Sequence, residues 1–202
     1  MNSIARASIS EFWRHVPKLV LFGGAILIQC ALLILMVTDR VQILREGREV
    51  VLQTRPVDPR DFLRGDYVAL GYDISQLPAG SLAHQPAGER YPIVFVKLAP
   101  NSEGVYQAVS VHPASVAVTS PEVLIRGRVQ YTCGSGVRTF CDKLQIRYNL
   151  ESYFVPEGEG KNLEQARNQK TLRVVAAVLP SGRAAIKRLL IDGASVYDEP
   201  WF

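Results

Sequence analysis

Four carboxylates, Asp66, Glu157, Glu159 and Glu164, are the side chains of this 202-residue chain whose types and spacing suit acid–base work. Such chemistry needs two carboxyls in one cleft with their proton affinities pushed apart. Glu157 and Glu164 stand seven residues apart across a Gly-rich turn that can fold one toward the other. In the competing reading, Glu157 and Glu159 decorate a solvated turn and Glu164 faces water from a short helix, as charged loop residues usually do. Hydrolysis through Asp66, Glu157 and Glu164 is therefore the alternative to a non-catalytic binding role. Nucleophilic catalysis has less support. Ser135 lies in Gly-Ser-Gly with no G-x-S-x-G elbow around it, and neither His84 nor His112 has the spacing of a base. No phosphate-cradling loop, dinucleotide fingerprint or metal-ligand spacing occurs, so neither a cofactor nor a metal is expected.

Cys133 and Cys141 flank the loop GSGVRTF, which can bring them together. A disulfide there closes nine residues, contributes about 2.6 kcal/mol on the chain-entropy account, and places its domain in an oxidising compartment. Two reduced cysteines on the cytosolic side are the competing reading. Charge excludes little beyond nucleic acid. The chain carries +4, but residues 1–38 hold three basic and one acidic residue, leaving twenty basic against eighteen acidic residues, scattered among one another and in no nucleic-acid-binding motif.

The elements that must position these groups are mostly strands. Period-two alternation predicts an antiparallel β fold, sandwich or barrel-like, with strands over 50–54, 67–74, 92–98 and 105–111, a hairpin turn at Asn101-Ser102-Glu103-Gly104, and a long surface loop from Gln76 to Arg90. Val123, Ile125, Val129, Tyr131 and Cys133 share one parity and Leu144, Ile146, Tyr148 and Leu150 the other. Directly opposed cysteines would pair odd positions with odd, so an irregular step near Asp142 or Lys143 is expected to restore the apolar face. A short helix is expected at 162–168, and a last hairpin joins 172–179 to 184–191 through Pro180-Ser181-Gly182. The tail DEPWF is expected to dock on the domain or the membrane interface.

From Leu19 to Val37 the sequence LVLFGGAILIQCALLILMV has no charge, and nineteen residues at ~1.5 Å each approach the hydrocarbon thickness of a bilayer. It predicts a membrane-spanning helix, in which Gln29 and Cys30 either mark a helix-pairing face or, as is commoner for a lone Gln, are simply tolerated. A signal peptide fits less well, because the run exceeds a signal's apolar region and no small-x-small site follows. The organisation expected is a short cytoplasmic segment at 1–18, the span at 19–38, a linker at 39–48 and an extracytoplasmic β domain at 49–202. Basic residues on the two sides of the span do not decide its orientation; the expected disulfide does.

The charged stretch DPRDFLRGDYVALGY begins as a capped turn. Asp58 precedes Pro59 at a first helical position, Asp61 can return a capping bond, and Gly65 can stop the turn in the left-handed region. Arg64-Gly65-Asp66, which coincides with an adhesion tripeptide, is explained by that turn. Next, Val68, Leu70, Tyr72 and Ile74 alternate with Tyr67, Ala69, Gly71 and Asp73, and the small pair Ala69 and Gly71 leaves a trough beside Tyr67.

Gly65-Asp66-Tyr67-Val68-Ala69-Leu70-Gly71-Tyr72 matches the signature G-D-Y-x-x-L-x-Y, and with VDPRDFLRGDYV and YFVPEGEGKNLE the chain resembles the GDYXXLXY family over most of residues 45–193. The resemblance implies a bacterial protein with an N-terminal anchor and a multi-span membrane protein as neighbour, and it brings no activity; with the expected disulfide, the β domain is expected on the periplasmic side of the inner membrane. The expected contact surface is the face around Arg64, Asp66, Tyr67 and Asp73.

Overall fold

The computed structural model describes residues 18–57, 67–78, 92–130, 143–155 and 160–200. Two compact units make up the chain, residues 1–40 and 41–202.

In the first unit the apolar run is helical throughout, as part of helix α1 (Lys18–Glu46), and none of its most apolar window is buried. Phe22 is 68% exposed and Met36 71%. A core helix of a soluble fold hides such side chains, whereas this helix leaves them open, as a membrane span or a signal sequence does. Gln29 and Cys30 are exposed with the rest. Thr38 returns its hydroxyl to the carbonyls of Ile34 (2.9 Å) and Leu35 (3.1 Å), the usual way a hydroxyl is satisfied within an apolar helix.

The second unit is mainly antiparallel β. Its strands are β1 (Arg48–Arg55), β2 (Tyr67–Ala69), β3 (Gly71–Tyr72), β4 (Gln76–Pro78), β5 (Ile93–Pro100), β6 (Tyr106–His112), β7 (Val123–Gln130), β8 (Lys143–Arg147), β9 (Ser152–Phe154), β10 (Leu172–Val178), β11 (Ala184–Ile191) and β12 (Ala194–Asp198), with helix α2 (Gly160–Asn168) between β9 and β10. They form a sheet β12-β11-β10-β1-β3, a sheet β4-β8-β7-β5-β6 and a pair β2-β9. A parallel bridge from Val51 to Val105 brings the free side of β6 beside β1, so the whole is a nearly closed, barrel-like arrangement.

Alternation explains the strands. Val50, Leu52 and Thr54 of β1 and Val94, Val96 and Leu98 of β5 point into one core, and their neighbours are wetter. Strand β10 is buried almost without a break, because its inner residues join that core while Ala177, with Leu179 and Ala185, packs on Ile43 and Leu44 from the last turn of α1. The helix thus runs through 39–46, and Gly47 alone separates it from β1. No larger residue fits there: a Cβ would lie 2.4 Å from the Ile43 carbonyl oxygen and 2.9 Å from the backbone of Ala177. On the outer side of the same sheet Glu49 receives Lys187 and Arg188. The Lys187 hydrogen bond holds its carboxyl below the ordinary range, partial burial opposes this, and Arg188 adds to it.

Several expectations need correction. The strand anticipated over 67–74 is broken into β2, β3 and a 3-10 turn at Asp73–Ser75, because β2 pairs with β9 while β3 pairs with β1. The loop anticipated from Gln76 opens as β4, paired with β8. Helix α2 starts at Gly160, two residues before the expected point. Strand β12 is not expected from the sequence pattern; it is mostly exposed and is held by main-chain pairing with β11, by Tyr197 packing against the core and by Asp198 beside Arg188. The Asn101 turn and the Pro180–Gly182 hairpin form as expected, with Gly104 and Gly182 at positive φ (76° and 81°). The β7–β8 ladder pairs Val129 with Ile146, odd with even, as the apolar faces require. The expected step near Asp142 and the Cys133–Cys141 pair lie outside the described residues, apart from Lys143, which pairs regularly with Pro78.

Candidate functional site

The segments 67–78 and 143–154 run antiparallel in one interrupted ladder. Tyr67 opposes Phe154, and nine residues further along each segment Gln76 opposes Gln145, so the register is the same on both sides of the gap. Leu70 keeps it too, donating its N–H to the Glu151 carbonyl at 2.8 Å. Within the gap Asn149 takes φ 61°, a conformation asparagine tolerates, and the 3-10 turn exposes Asp73 while Ile74 and Ser75 stay buried.

Two tyrosines bridge the gap reciprocally. Tyr72 donates its hydroxyl to the Leu150 carbonyl at 2.6 Å, and Tyr148 donates its own to the Ile74 carbonyl at 2.7 Å. Each ring is buried, and each phenol reaches the carbonyl two residues beyond the other tyrosine. Glu151 closes the bend by accepting the Tyr148 N–H at 2.6 Å. Burial foremost, and the Glu151 charge second, raise both phenols above the ordinary tyrosine value of 10. An unfolded tyrosine ionises near that value. The stability of keeping these two neutral is therefore fully present below pH 10 and is lost as pH rises beyond it. Tyr72→Phe or Tyr148→Phe is expected to cost about 1–2 kcal/mol through the orphaned buried carbonyl and to flatten the alkaline limb of a stability-against-pH curve, measured by urea unfolding. An unchanged alkaline limb in both variants would remove the latch.

A third buried polar group secures this ladder from α2. Leu163, Ala166 and Arg167 form the inward stripe of that helix, and Arg167 is 1% exposed. Its Nη1 donates to the Ala69 carbonyl at 2.5 Å, while Nε and Nη2 donate to Asn168 Oδ1 at 3.2 and 3.1 Å. Burial pulls the guanidinium down from its ordinary value and the charge of Glu164 pushes back; arginine remains cationic in such a setting. Arg167 was not anticipated as a key residue. Its signal was the i, i+3, i+4 spacing with Leu163 and Ala166, which puts a charge on the buried stripe.

Of the expected site residues, Tyr67 is half-buried beside the 78% exposed Phe154, ring centroids 6.2 Å apart. Asp73 is exposed and lines a different feature, a groove of ≈ 280 Å³ shared with Gln53, Asn101, Glu103 and Tyr106. The polar groups around that groove are engaged in structure: Asn101 Oδ1 accepts the Glu103 and Val105 N–H groups, and Arg173 ties Gln53 to Glu103. The expected trough beside Tyr67 is filled at Gly71, where Arg55 Cγ and Val57 Cγ1 stand 3.1 and 3.2 Å from the place of a Cβ. Glu164 is a counter-charge to Arg167. Arg64, Asp66, Glu157, Asp58, Pro59, Asp61, Gly65, Cys133 and Cys141 lie outside the described residues. Among the described residues no three His, Cys, Asp or Glu side chains gather as metal ligands do. The tail reaches the same ladder: Tyr153 packs edge-on against Tyr197 and donates to Glu199 Oε2 at 3.2 Å.

The sequence profile of the GDYXXLXY protein family matches residues 29–189, most of the chain. The chain belongs to that family. No curated protein and no solved structure is detectably similar to it. In this GDYXXLXY protein the described part of the signature divides by role. Leu70 and Tyr72 build the core and the latch, Ala69 supplies the carbonyl that Arg167 holds, and Tyr67 alone presents its ring at the surface.

Proposed function

We propose that this GDYXXLXY protein is a membrane-anchored, non-catalytic β module that binds a neighbouring envelope protein, with Tyr67 and Phe154 at the contact. The observation that carries this reading is the fate of the signature ladder. In it the buried Tyr72, Tyr148 and Arg167 are spent on structural hydrogen bonds, among the described buried side chains only the Ser75 hydroxyl has no partner, and the half-buried Tyr67 stands with the exposed Phe154 on one strand pair. Aromatic side chains on ordered backbone make good contact anchors, because few rotamers are lost on binding. The unburied helix α1 supports a single-pass anchor; the reading adds residues 49–202 on the extracytoplasmic side of a bacterial inner membrane, a multi-span protein as partner, and Arg64 and Asp66, next to Tyr67 in sequence, as part of the contact. Alkylation and mass analysis of unreduced protein tests sidedness: free thiols at Cys133 and Cys141 would remove its chief support. A photo-crosslinking residue in place of Phe154, in native membranes, is expected to capture a membrane protein several-fold above the same residue in place of Val109, which is 57% exposed on β6. Equal capture at the two positions would sink the assignment.

A further inference from the structure

The two five-stranded sheets differ in charge. The sheet β12-β11-β10-β1-β3 mixes signs and pairs them, as Glu49 does with Lys187 and Arg188, and Arg188 with Asp198. The strands of β4-β8-β7-β5-β6 contain no Asp or Glu, yet they hold Lys97, Arg126, Arg128, Lys143 and Arg147. Register puts the arginines on one face. Val123, Ile125 and Val129 of β7 and Leu144 and Ile146 of β8 point into the core, so Arg126, Arg128 and Arg147 point outward, and all three are exposed. Arg128 stands directly opposite Arg147, and Arg126 is opposite Phe95.

Lys97 is neutralised by Glu122 at 3.0 Å, whereas among the described residues none of these three arginines has an ion-pair partner. Like charges directly opposed across a ladder destabilise it, so the isolated domain bears a cost that an anionic partner would remove. The same strand begins beside the end of α1: Glu46 and Arg48 line one groove of ≈ 410 Å³ with Val123 and Leu124 of β7. Arg126 and Arg128 follow two and four residues after Leu124, roughly 7 and 13 Å along a strand.

We propose that this arginine face lies against the anionic phospholipid headgroups of the bilayer that α1 enters. The proposal rests on the anchor reading given above and adds a second surface to the aromatic contact. Magnitude favours lipid over an acidic protein. Each basic side chain near an anionic bilayer strengthens association roughly fivefold, so three give about a hundredfold. That is too weak to recruit a free partner, but it is ample for a domain already held at a bilayer by its own helix, where tethering supplies a high effective concentration. Ile93 and Phe95, half-buried between the charges, suit the interfacial zone.

The test uses the full chain in nanodiscs of phosphatidylcholine alone or with roughly one-third phosphatidylglycerol, read by phenylglyoxal labelling and mass analysis of each arginine. Arg126, Arg128 and Arg147 are expected to label several-fold more slowly in the anionic discs, with the difference abolished near 0.5 M salt, where screening is about 4 Å. Arg173 and Arg188 on the other sheet should label alike in both discs. Equal rates at the three arginines, or slowing of every arginine alike, overturns the proposal and leaves the anchor reading standing. Protection in native membranes but not in anionic discs assigns the face to an acidic protein and likewise overturns it. A chain that stays soluble without detergent and enters no disc overturns the anchor reading and this proposal together.

Discussion

Replacing Arg167 by alanine will lower the unfolding free energy by about 3 kcal/mol or more, because it orphans the Ala69 carbonyl and empties the volume of a fully buried stem. Urea unfolding of the full chain in detergent should show an earlier midpoint with an unchanged slope, since the surface exposed on unfolding stays the same. The opposing term is desolvation, which costs a buried cation several kcal/mol and is relieved when the charge goes. Arg167→Met separates the two. It keeps most of the stem and removes the charge and its hydrogen bonds, and it should cost about 1–2 kcal/mol. A methionine variant as stable as the parent would mean that desolvation cancels the bond, and the guanidinium would then contribute nothing to holding α2 on the signature strand.

Gly127→Ala should be as damaging, through excess volume. Gly127 faces inward on β7, and a Cβ there would lie 2.4 Å from Ile146 Cγ2 and 3.0 Å from Cδ1 and Cε1 of Tyr148. Ile146 is fully buried, so it has no free space to enter, and displacement of the Tyr148 ring breaks its bond to the Ile74 carbonyl. Overpacking of 1–3 kcal/mol plus a lost buried hydrogen bond gives roughly 3 kcal/mol. Adding Ile146→Leu removes the clashing Cγ2 and should restore part of the loss, a non-additivity expected of atoms in contact. If the double variant is the plain sum of the singles, the clash is not the cause.

Much of the architecture was legible because it is written locally. A period of two marks β1, β5, β6, β7 and β8, the Pro180-Ser181-Gly182 turn marks the β10–β11 hairpin, and an uncharged run marks the exposed part of α1. Turn residues such as Asn101 and Gly182 carry their own conformational reasons. The errors fell where pairing overrides pattern. Nothing in Tyr67–Ile74 announces that β2 and β3 serve different partners, since the alternation is unbroken across the change. The candidate site was less legible for the same reason. Asp73 and Tyr67 share a parity, yet the 3-10 turn sends one into the groove of Asn101 while the other stays beside Phe154.

By itself the sequence determined a mainly antiparallel domain behind one long apolar helix, because side-chain size, period and charge act on neighbours along the chain. Only the tertiary structure decided that residues 67–78 meet residues 143–154, that two tyrosines cross-bond in the gap, that Arg167 dives beneath the signature strand, and that three arginines share one face with no ion-pair partner among the described residues. Each of those depends on residues about 20 to 100 positions apart, and a pairing over that distance is selected by the packing of the whole core, which no local pattern encodes.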